Sequence, residues 1–169
     1  MATVNTTATA ITNADAQPKS FTPANVAGAY LREAVGTVEV AAADDDGSTY
    51  RFARIRSSAR MSSISVFNDA ITGGTSYDVG LYRTAKDGGA VVSAALFASA
   101  LDLSSASAVA GTEALTEATV TNIDKIEKPI WQLLGLSADP MIDYDLTLTA
   151  NTVGTAAGTI SVRARYVNG

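Results

Sequence analysis

The stretch SYDVGLYR, residues 76–83, decides the fold class because it places an apolar side chain at every second position. That alternation is the period of a half-buried β-strand. The stretch DYDLTLTA, residues 143–150, repeats it with a second Tyr-Asp pair. We therefore predict two strands with equivalent roles, each with an apolar face toward the core and a polar face toward solvent. So short a match favours convergence on a common strand pattern over an internal duplication.

Three stretches upstream have the same period of two and end in turn chemistry. They are AVGTVEVAAA (34–43) before DDDG (44–47), STYRFARI (48–55) before RSSAR (56–60), and MSSISVFND (61–69) before ITGG (71–74). KDGG (86–89) closes the stretch 76–83 in the same way. Asp and Gly supply the backbone conformations that tight turns need. Four strands at this spacing predict an all-β protein, an antiparallel β-sandwich or jelly-roll-like module.

The middle of the chain is less regular. Residues 91–108 fit a strand followed by a loop, because of their Ser clusters, or a short helix, because of their Ala and Leu content. In residues 126–140, Pro129 suits a first helical turn and Gly135 suits a helix end. We therefore predict one short helix here, with Trp131 anchored in the core.

The chain is predicted to end in a β-hairpin. Its two strands are residues 143–150 and 159–167, joined by the Gly-containing loop NTVGTAAG. In the last strand four side chains face one way, and Ser and Arg side chains face the other. The four are Ile160, Val162, Ala164 and Tyr166.

Residues 1–22 form a Thr-, Ala- and Asn-rich arm without the apolar periodicity of a helix. Alone, this arm cannot bury enough surface to offset the entropy lost on ordering. It is interpreted either as a disordered tail or as a segment that orders only against a neighbouring subunit. The predicted organisation is an extended or disordered arm, 1–22, followed by a single β-sandwich domain, 23–169.

Composition and charge argue against several classes of function. The chain has no Cys and no His, a formal charge of −5 and a pI of about 4.6. Without His it lacks the usual acid/base group at neutral pH and the commonest transition-metal ligand, so no cofactor or metal is predicted. An acidic chain also lacks the basic footprint of a nucleic-acid-binding protein. No stretch resembles a membrane span or a signal-peptide core, so we expect a soluble protein that is not exported by a cleaved signal.

Clusters of carboxylates do not predict a catalytic or metal site. Asp44, Asp45 and Asp46 are adjacent, so their side chains diverge, whereas a calcium loop uses alternate positions. A solvated hairpin turn is the favoured interpretation. Asp143 and Asp145 share a strand face as a glycosidase pair would, but that face also carries two threonines and is interpreted as solvated. We predict that the protein is not an enzyme.

The densest basic cluster consists of Arg51, Arg54, Arg56 and Arg60. On alternating strand faces these four cannot all project together, and a solvated sheet edge that discourages edge-to-edge pairing is favoured. The alternative is a contact strip for an acidic protein partner. Two aromatic rings on secondary strand faces also need burial, which predicts a homotrimer. The candidate partner contacts are Arg54, Arg56, Arg60, Phe67 and Tyr82.

Two long stretches carry a family resemblance. They are ANVAGAYLREAVGTVEVAAADDDGSTYRFARIRSSARMSSISVFNDAITGGTSYDVGLYRT (24–84) and IWQLLGLSADPMIDYDLTLTANTVGTAAGTISVRARYV (130–167). Together they resemble small structural proteins of tailed bacteriophages and prophages, and among these the head decoration, or cement, proteins. The resemblance rests on the sequence of the strands and turns, and it identifies no functional residue in this chain.

The resemblance implies a virion structural protein on the outer surface of the head. Such a protein would bind the major capsid protein, bridge capsid subunits and so stabilise the shell, often as a trimer. The alternative is a carbohydrate-binding or adhesin module of a phage tail or fibre, which would also be an all-β oligomer. A single Trp without an evident aromatic platform argues against that alternative.

Overall fold

A computed structural model describes residues 6–115 and 125–168 of the chain, and in those ranges eight strands form two four-stranded sheets. The strands are β1 (Leu31–Val40), β2 (Thr49–Arg56), β3 (Arg60–Asn68), β4 (Ser76–Arg83), β5 (Val91–Leu101), β6 (Thr112–Glu113), β7 (Asp143–Thr152) and β8 (Gly158–Val167). The helices are α1 (Thr9–Asp15) and α2 (Ile130–Leu133), with a 3₁₀ turn at Ala85–Asp87. Neither α1 nor α2 is long and apolar enough to cross a membrane, and the described ranges contain no other candidate span.

The two sheets pack face to face as a sandwich. Sheet A has the strand order β1-β8-β3-β6, and sheet B has the order β2-β7-β4-β5. All strand pairs are antiparallel. The predicted all-β, antiparallel sandwich class is therefore confirmed, and the predicted short helix is α2.

The core lies between the two inner faces, and the alternation in the sequence supplies it. Each strand sends every second side chain inward, so burial alternates along β3 and β8. The largest fully buried side chains are Ile55, Met61, Ile64, Ile71, Tyr77, Leu81, Phe97, Leu103, Ile130, Tyr144, Leu146 and Leu148. The predicted inward set of β8 is confirmed for Ile160, Val162 and Ala164, while Tyr166 is half-buried.

The two Tyr-Asp strands, β4 and β7, are neighbours at the centre of sheet B. Val79 lies opposite Leu148, and Leu81 lies opposite Leu146, so both strands give the same apolar face to the core. Their equivalent roles are confirmed.

The prediction that the outer face of these two strands is solvated is wrong. Thr147 on β7 is fully buried there. The cause is β5, whose backbone lies over β4: a Cβ placed on Gly80 would be 2.0 Å from the carbonyl oxygen of Ser93. The register of β4 and β5 shifts at the same place, which lets β5 bulge across the sheet face.

Two predicted hairpins are wrong because their strands belong to different sheets. The turn 44–47 leads from β1 in sheet A to β2 in sheet B, and the loop 153–157 leads from β7 in sheet B to β8 in sheet A. Both β7 and β8 lie inside their sheets, paired on either side with other strands. Sequence alternation identifies such strands without specifying their partners, because either sheet offers them the same core.

The segments that the sequence left undecided are resolved as follows. Residues 91–108 form β5 and then a loop. Gly135, with φ of 72°, follows α2 as expected for a helix end. Ile130, and not Trp131, is the residue of α2 that is buried in the core. Trp131 is half-buried at the surface, so its predicted anchoring role is wrong.

The arm includes a helix that the sequence does not predict. Helix α1 has no buried residue and no side-chain N-cap. Instead, Asn13 links the helix to the segment that follows it. Its Nδ2 donates to the carbonyl oxygen of Phe21 at 3.2 Å and to Oγ1 of Thr22 at 3.1 Å. The expectation of an extended arm is therefore wrong for this part of it. No residue from 6 to 22 is buried.

Candidate functional site

The sandwich has two chemically different ends. The arm-side end consists of residues 6–30, the turns 57–59 and 84–90, and the segment 125–142. The acidic end consists of the loops 41–48, 69–75, 102–111 and 153–157. Antiparallel register places all the strand termini at one end or the other.

Backbone hydrogen bonds hold the segment 125–142 to the arm-side end. The N–H of Ile130 donates to the carbonyl oxygen of Ala59 at 2.9 Å, and the N–H of Trp131 donates to that of Ser57 at 3.1 Å. Nε of Arg60 donates to the backbone oxygen of Asn25 at 2.6 Å, which ties the arm to β3. The arm, α2 and the start of β3 therefore form one surface.

Most of the large apolar side chains that are exposed in the described ranges belong to the arm-side end. They are Ile11, Phe21, Tyr30, Ile126, Leu136 and Met141, and beside them lie Leu31 and Val91, the first residues of β1 and β5. Tyr30 is 91% exposed and Phe21 is 82% exposed. Exposed apolar side chains grouped in one region mark contact surfaces more often than scattered ones do.

A shallow cleft lies on this surface between the arm and α2. Its two adjoining parts, about 210 and 290 Å³, share Pro23, Val26, Glu127 and Gln132 as lining residues. The smaller part is also lined by Pro129, the ring of Trp131, and Asn25. The cleft therefore combines an aromatic ring and two prolines with a polar side chain.

Asn25 is the unusual residue of the cleft. It is only 8% exposed, and its Oδ1 is buried without a hydrogen-bond partner. A buried carbonyl oxygen without a donor carries the desolvation cost of the group, which most native structures avoid. The residue that carries this unsatisfied acceptor therefore lines the cleft.

Most carboxylates of the acidic end accept hydrogen bonds from within the chain. Asp44 accepts the hydroxyl of Tyr50 at 2.8 Å and the N–H of Ala41 at 3.0 Å, and Asp46 accepts the N–H of Val153 at 2.9 Å. The hydrogen bond from Tyr50, followed by that from Ala41, lowers the pKa of Asp44. These carboxylates fix the turn, as a loop between two sheets requires.

A buried carboxylate joins two arginines on the outer face of sheet B. Nη1 of Arg51 and Nε of Arg54 each lie 2.9 Å from a carboxylate oxygen of Asp145. Burial raises the pKa of Asp145, but the hydrogen bonds from Arg54 and Arg51 outweigh burial and hold that pKa below its ordinary value. Arg51 also donates to the carbonyl oxygens of Arg83 and Gly89. The group ties edge strand β2 to the β4–β5 turn.

Arg51 and Arg54 lie on the same side of β2, whereas strict alternation would place residues 51 and 54 on opposite faces. The register of β2 and β7 shifts between Arg51 and Ala53, so one extra residue turns both arginines to the same side. The expected position at a sheet edge holds for Arg51, Arg54 and Arg56, because β2 is an edge strand, but not for Arg60, which begins the interior strand β3. Asp145 is also not the solvated half of a carboxylate pair, because it is buried and ion-paired.

The five predicted contact residues do not form one strip. Arg54 lies on sheet B, Arg56 lies 3.9 Å from Asp143 at the arm-side end, and Arg60 begins β3 in sheet A. The other two are aromatic and lie on different sheets. Their role as partner contacts stays a prediction.

The two aromatic rings are packed within the chain. Tyr82 is buried, and its hydroxyl lies 2.8 Å from Oγ1 of Thr149. Phe67 is half-buried beside Gly111, and the guanidinium of Arg163 lies 5.0 Å from the centre of its ring. Neither ring needs another subunit for burial, so they no longer argue for a trimer.

The sequence interpretation missed the residues that distinguish the arm-side end. Tyr30 and Leu31 are an apolar pair at the start of β1. Leu31 lies outside the inward set of that strand, which occupies even positions, and this was the signal available for it, whereas alternation gave no such signal for Tyr30. Asn25 gave no signal, since its burial depends on the fold. Within residues 6–115 and 125–168, no group of three His, Cys, Asp or Glu side chains could hold a metal ion.

Comparison with known proteins gives one coarse likeness. No protein-family model matches the chain, and no curated protein matches it. Among solved structures, the chain is similar to a chain of the "Cyanophage Pam1 capsid asymmetric unit", with 14% sequence identity and a TM-score of 0.48. The alignment covers 83% of this chain and 86% of that chain.

Proposed function

We propose that the protein is a capsid-associated structural protein of a tailed phage, and more closely a decoration protein of the head. In this role it binds the outer surface of the shell, contacts the major capsid protein and stabilises the particle by bridging capsid subunits. It has no catalytic activity. Its place is the virion.

The observation that carries the proposal is the apolar arm-side end. Tyr30 and Phe21 are almost fully exposed in a chain whose other aromatic residues are packed or half-buried. An exposed apolar surface of this kind favours a protein whose working state is an assembly. The sequence resemblance of residues 24–84 and 130–167 to phage structural proteins supplies the kind of assembly.

Bridging follows from multivalency. A protein that contacts several capsid subunits at once gains avidity from contacts that are individually weak. A symmetric oligomer multiplies those contacts, and the resemblance makes a homotrimer the expected form. Sedimentation of the purified protein, alone and on particles, measures that oligomeric state.

Copy number on purified virions tests the function. A decoration protein covers the shell, so its mass ratio to the major capsid protein should correspond to on the order of hundreds of copies per particle. An adhesin of a tail or fibre would give a few to a few tens of copies. A low copy number confined to the tail would overturn the proposed function.

A further inference from the structure

We propose that the arm-side end is the docking face, that its cleft receives an N–H donor of the shell protein, and that the acidic end points away from the shell. This inference rests on the proposed function, which says that the chain binds a shell. It adds which face binds and what chemistry the partner surface has. Three independent observations support this orientation.

The first observation is the distribution of apolar surface. Tyr30 and Phe21 are exposed at the arm-side end, Leu31 is exposed beside it at the start of β1, and Phe21 directly precedes Thr22, which lines the cleft between the arm and α2. At the acidic end the exposed large apolar side chain is Val109, which stands alone in its loop. Desolvation on docking therefore favours the arm-side end.

The second observation is Asn25. Its Oδ1 is buried without a hydrogen-bond partner among the described residues, and Asn25 lines the cleft together with Trp131 and Pro129. Within residues 6–115 and 125–168 no group donates a hydrogen bond to this acceptor, whereas a donor that enters the cleft from a partner would compensate the cost of burying it. The occupant that fits is a protein segment with an apolar side chain to lie against Trp131 and a backbone or side-chain N–H for Asn25.

The third observation is charge. The loops of the acidic end contain five carboxylates and no Lys or Arg: Asp44, Asp45, Asp46, Asp69 and Asp102. The arm-side end and the strand termini beside it carry eight basic residues: Lys19, Arg32, Arg56, Arg60, Arg83, Lys86, Lys125 and Lys128. Acidic groups are interspersed there, so the docking face is mixed in charge and the opposite end is wholly negative. A partner surface with carboxylates around an apolar centre can therefore meet the arm-side end and is repelled by the acidic end.

Thiol labelling tests the orientation directly, because the chain has no Cys of its own. Tyr30→Cys and Val109→Cys place one exposed thiol at each end, and each variant is assembled on shells that lack the protein. The measurement is the rate of reaction with a maleimide, free and on the shell. We expect Tyr30→Cys to react at least about tenfold more slowly on the shell, as expected for a buried interface position, and Val109→Cys to react at an unchanged rate. Equal rates at both sites, or protection of Val109→Cys alone, would overturn the orientation while leaving the proposed function in place.

Asn25→Leu tests the role of the cleft. Removing an unsatisfied acceptor without a large change of volume should leave the melting temperature of the free protein unchanged or higher. The same substitution should weaken shell binding by about tenfold, because the donor of the partner then loses its acceptor. A variant that is less stable but binds shells as well as the original chain would mean that Asn25 is structural only. If the original chain itself does not bind shells, the proposed function fails and the occupant named here fails with it.

Discussion

The two ends of the sandwich differ in how their loops are held and in which side chains they leave exposed. At the acidic end, the loops bond to each other: Asp46 accepts the N–H of Val153, and the N–H of Thr155 donates to the carbonyl oxygen of Thr72 at 2.8 Å. At the arm-side end, backbone bonds hold the segments in place, but exposed apolar side chains and the acceptor of Asn25 have no counterpart among the described residues. In the part of the chain that the structure describes, the acidic end therefore pairs most of its polar groups, and the arm-side end leaves apolar surface exposed.

This difference predicts whether a substitution at each end should change the stability of the protein or its association with a partner. Changes to the hydrogen-bonded groups and turn glycines of the acidic end should reduce the free energy of unfolding, because these groups are already paired or closely packed. Changes to exposed side chains at the arm-side end should leave stability intact and act on association. The predictions on Gly154, on the two buried tyrosines and on Tyr30 each test one side of that contrast, and the prediction on Arg51 tests a polar group between the two ends.

The largest effect is expected from Gly154→Ala at the acidic end. Gly154 has φ of 95°, and a Cβ at this position would lie 2.6 Å from the backbone N of Gly74 and 2.6 Å from the carbonyl oxygen of Thr72. Left-handed strain and backbone overlap together should cost about 3 kcal/mol in the free energy of unfolding. Urea denaturation measures this loss.

The control for Gly154→Ala is Gly135→Ala at the arm-side end. Gly135 also has positive φ, at 72°, but a Cβ there meets no atom within 4 Å. Only the conformational cost remains, about 1 kcal/mol. Equal losses for the two variants would show that the acidic end is no more tightly packed than the other.

The second prediction concerns the ion-paired group that joins the edge of sheet B to the β4–β5 turn. Arg51→Met removes one charged partner of the buried Asp145 and two hydrogen bonds to backbone oxygens, and should cost about 2 kcal/mol. Because the pKa of Asp145 is lowered in the folded state, its contribution is present above about pH 4 and is lost as the pH falls through the folded value. Arg51→Met should therefore flatten the loss of stability in acid, measured by urea unfolding between pH 7 and pH 3. An acid profile unchanged from that of the original chain would rule out this role for the pair.

The third prediction concerns the loss of stability at alkaline pH, which we expect from two tyrosines near the acidic end. Burial raises the pKa of Tyr77 to about 12, and burial together with the hydrogen bond to Asp44 raises that of Tyr50. The folded values exceed the unfolded value of about 10, so the stability that these groups contribute is complete below pH 10 and is lost as the pH rises further. Unfolding free energies measured from pH 8 to pH 11 should fall only above about pH 10. The double variant Tyr50→Phe with Tyr77→Phe should lose that slope, and a slope that persists would assign it to other groups.

Much of the fold follows from the sequence because alternation is a local property. Tyr77, Val79 and Leu81 indicate a strand and its inward face without reference to any partner. The pairing of strands is not a local property. Alternation therefore predicts a hairpin of β7 and β8, although the two strands belong to different sheets. The bulge between Arg51 and Ala53 inverts the facing of the following residues, and nothing in STYRFARI marks it.

The candidate site was less predictable for a related reason. Phe67 and Tyr82 were expected to be exposed because alternation sets them on outer faces, yet Arg163 and Thr149 cover them there. The exposure of Tyr30 depends on where the arm folds back, which is a long-range property. Composition argues against several classes of function, but only the three-dimensional fold shows which apolar side chains remain exposed.

The smallest effect on stability is expected for Tyr30→Ser, a substitution that should strongly weaken binding to the shell. Tyr30 is 91% exposed, so Tyr30→Ser removes almost no buried surface and should change the free energy of unfolding by less than about 0.5 kcal/mol. Val109→Ser at the acidic end is the matched control, since its side chain is also fully exposed, and its effect should be as small. The two variants should then separate in a shell-binding measurement, where only Tyr30→Ser loses affinity. A loss of stability in Tyr30→Ser well above that of Val109→Ser would mean that the ring packs within the free chain, and the contrast between the two ends would no longer hold.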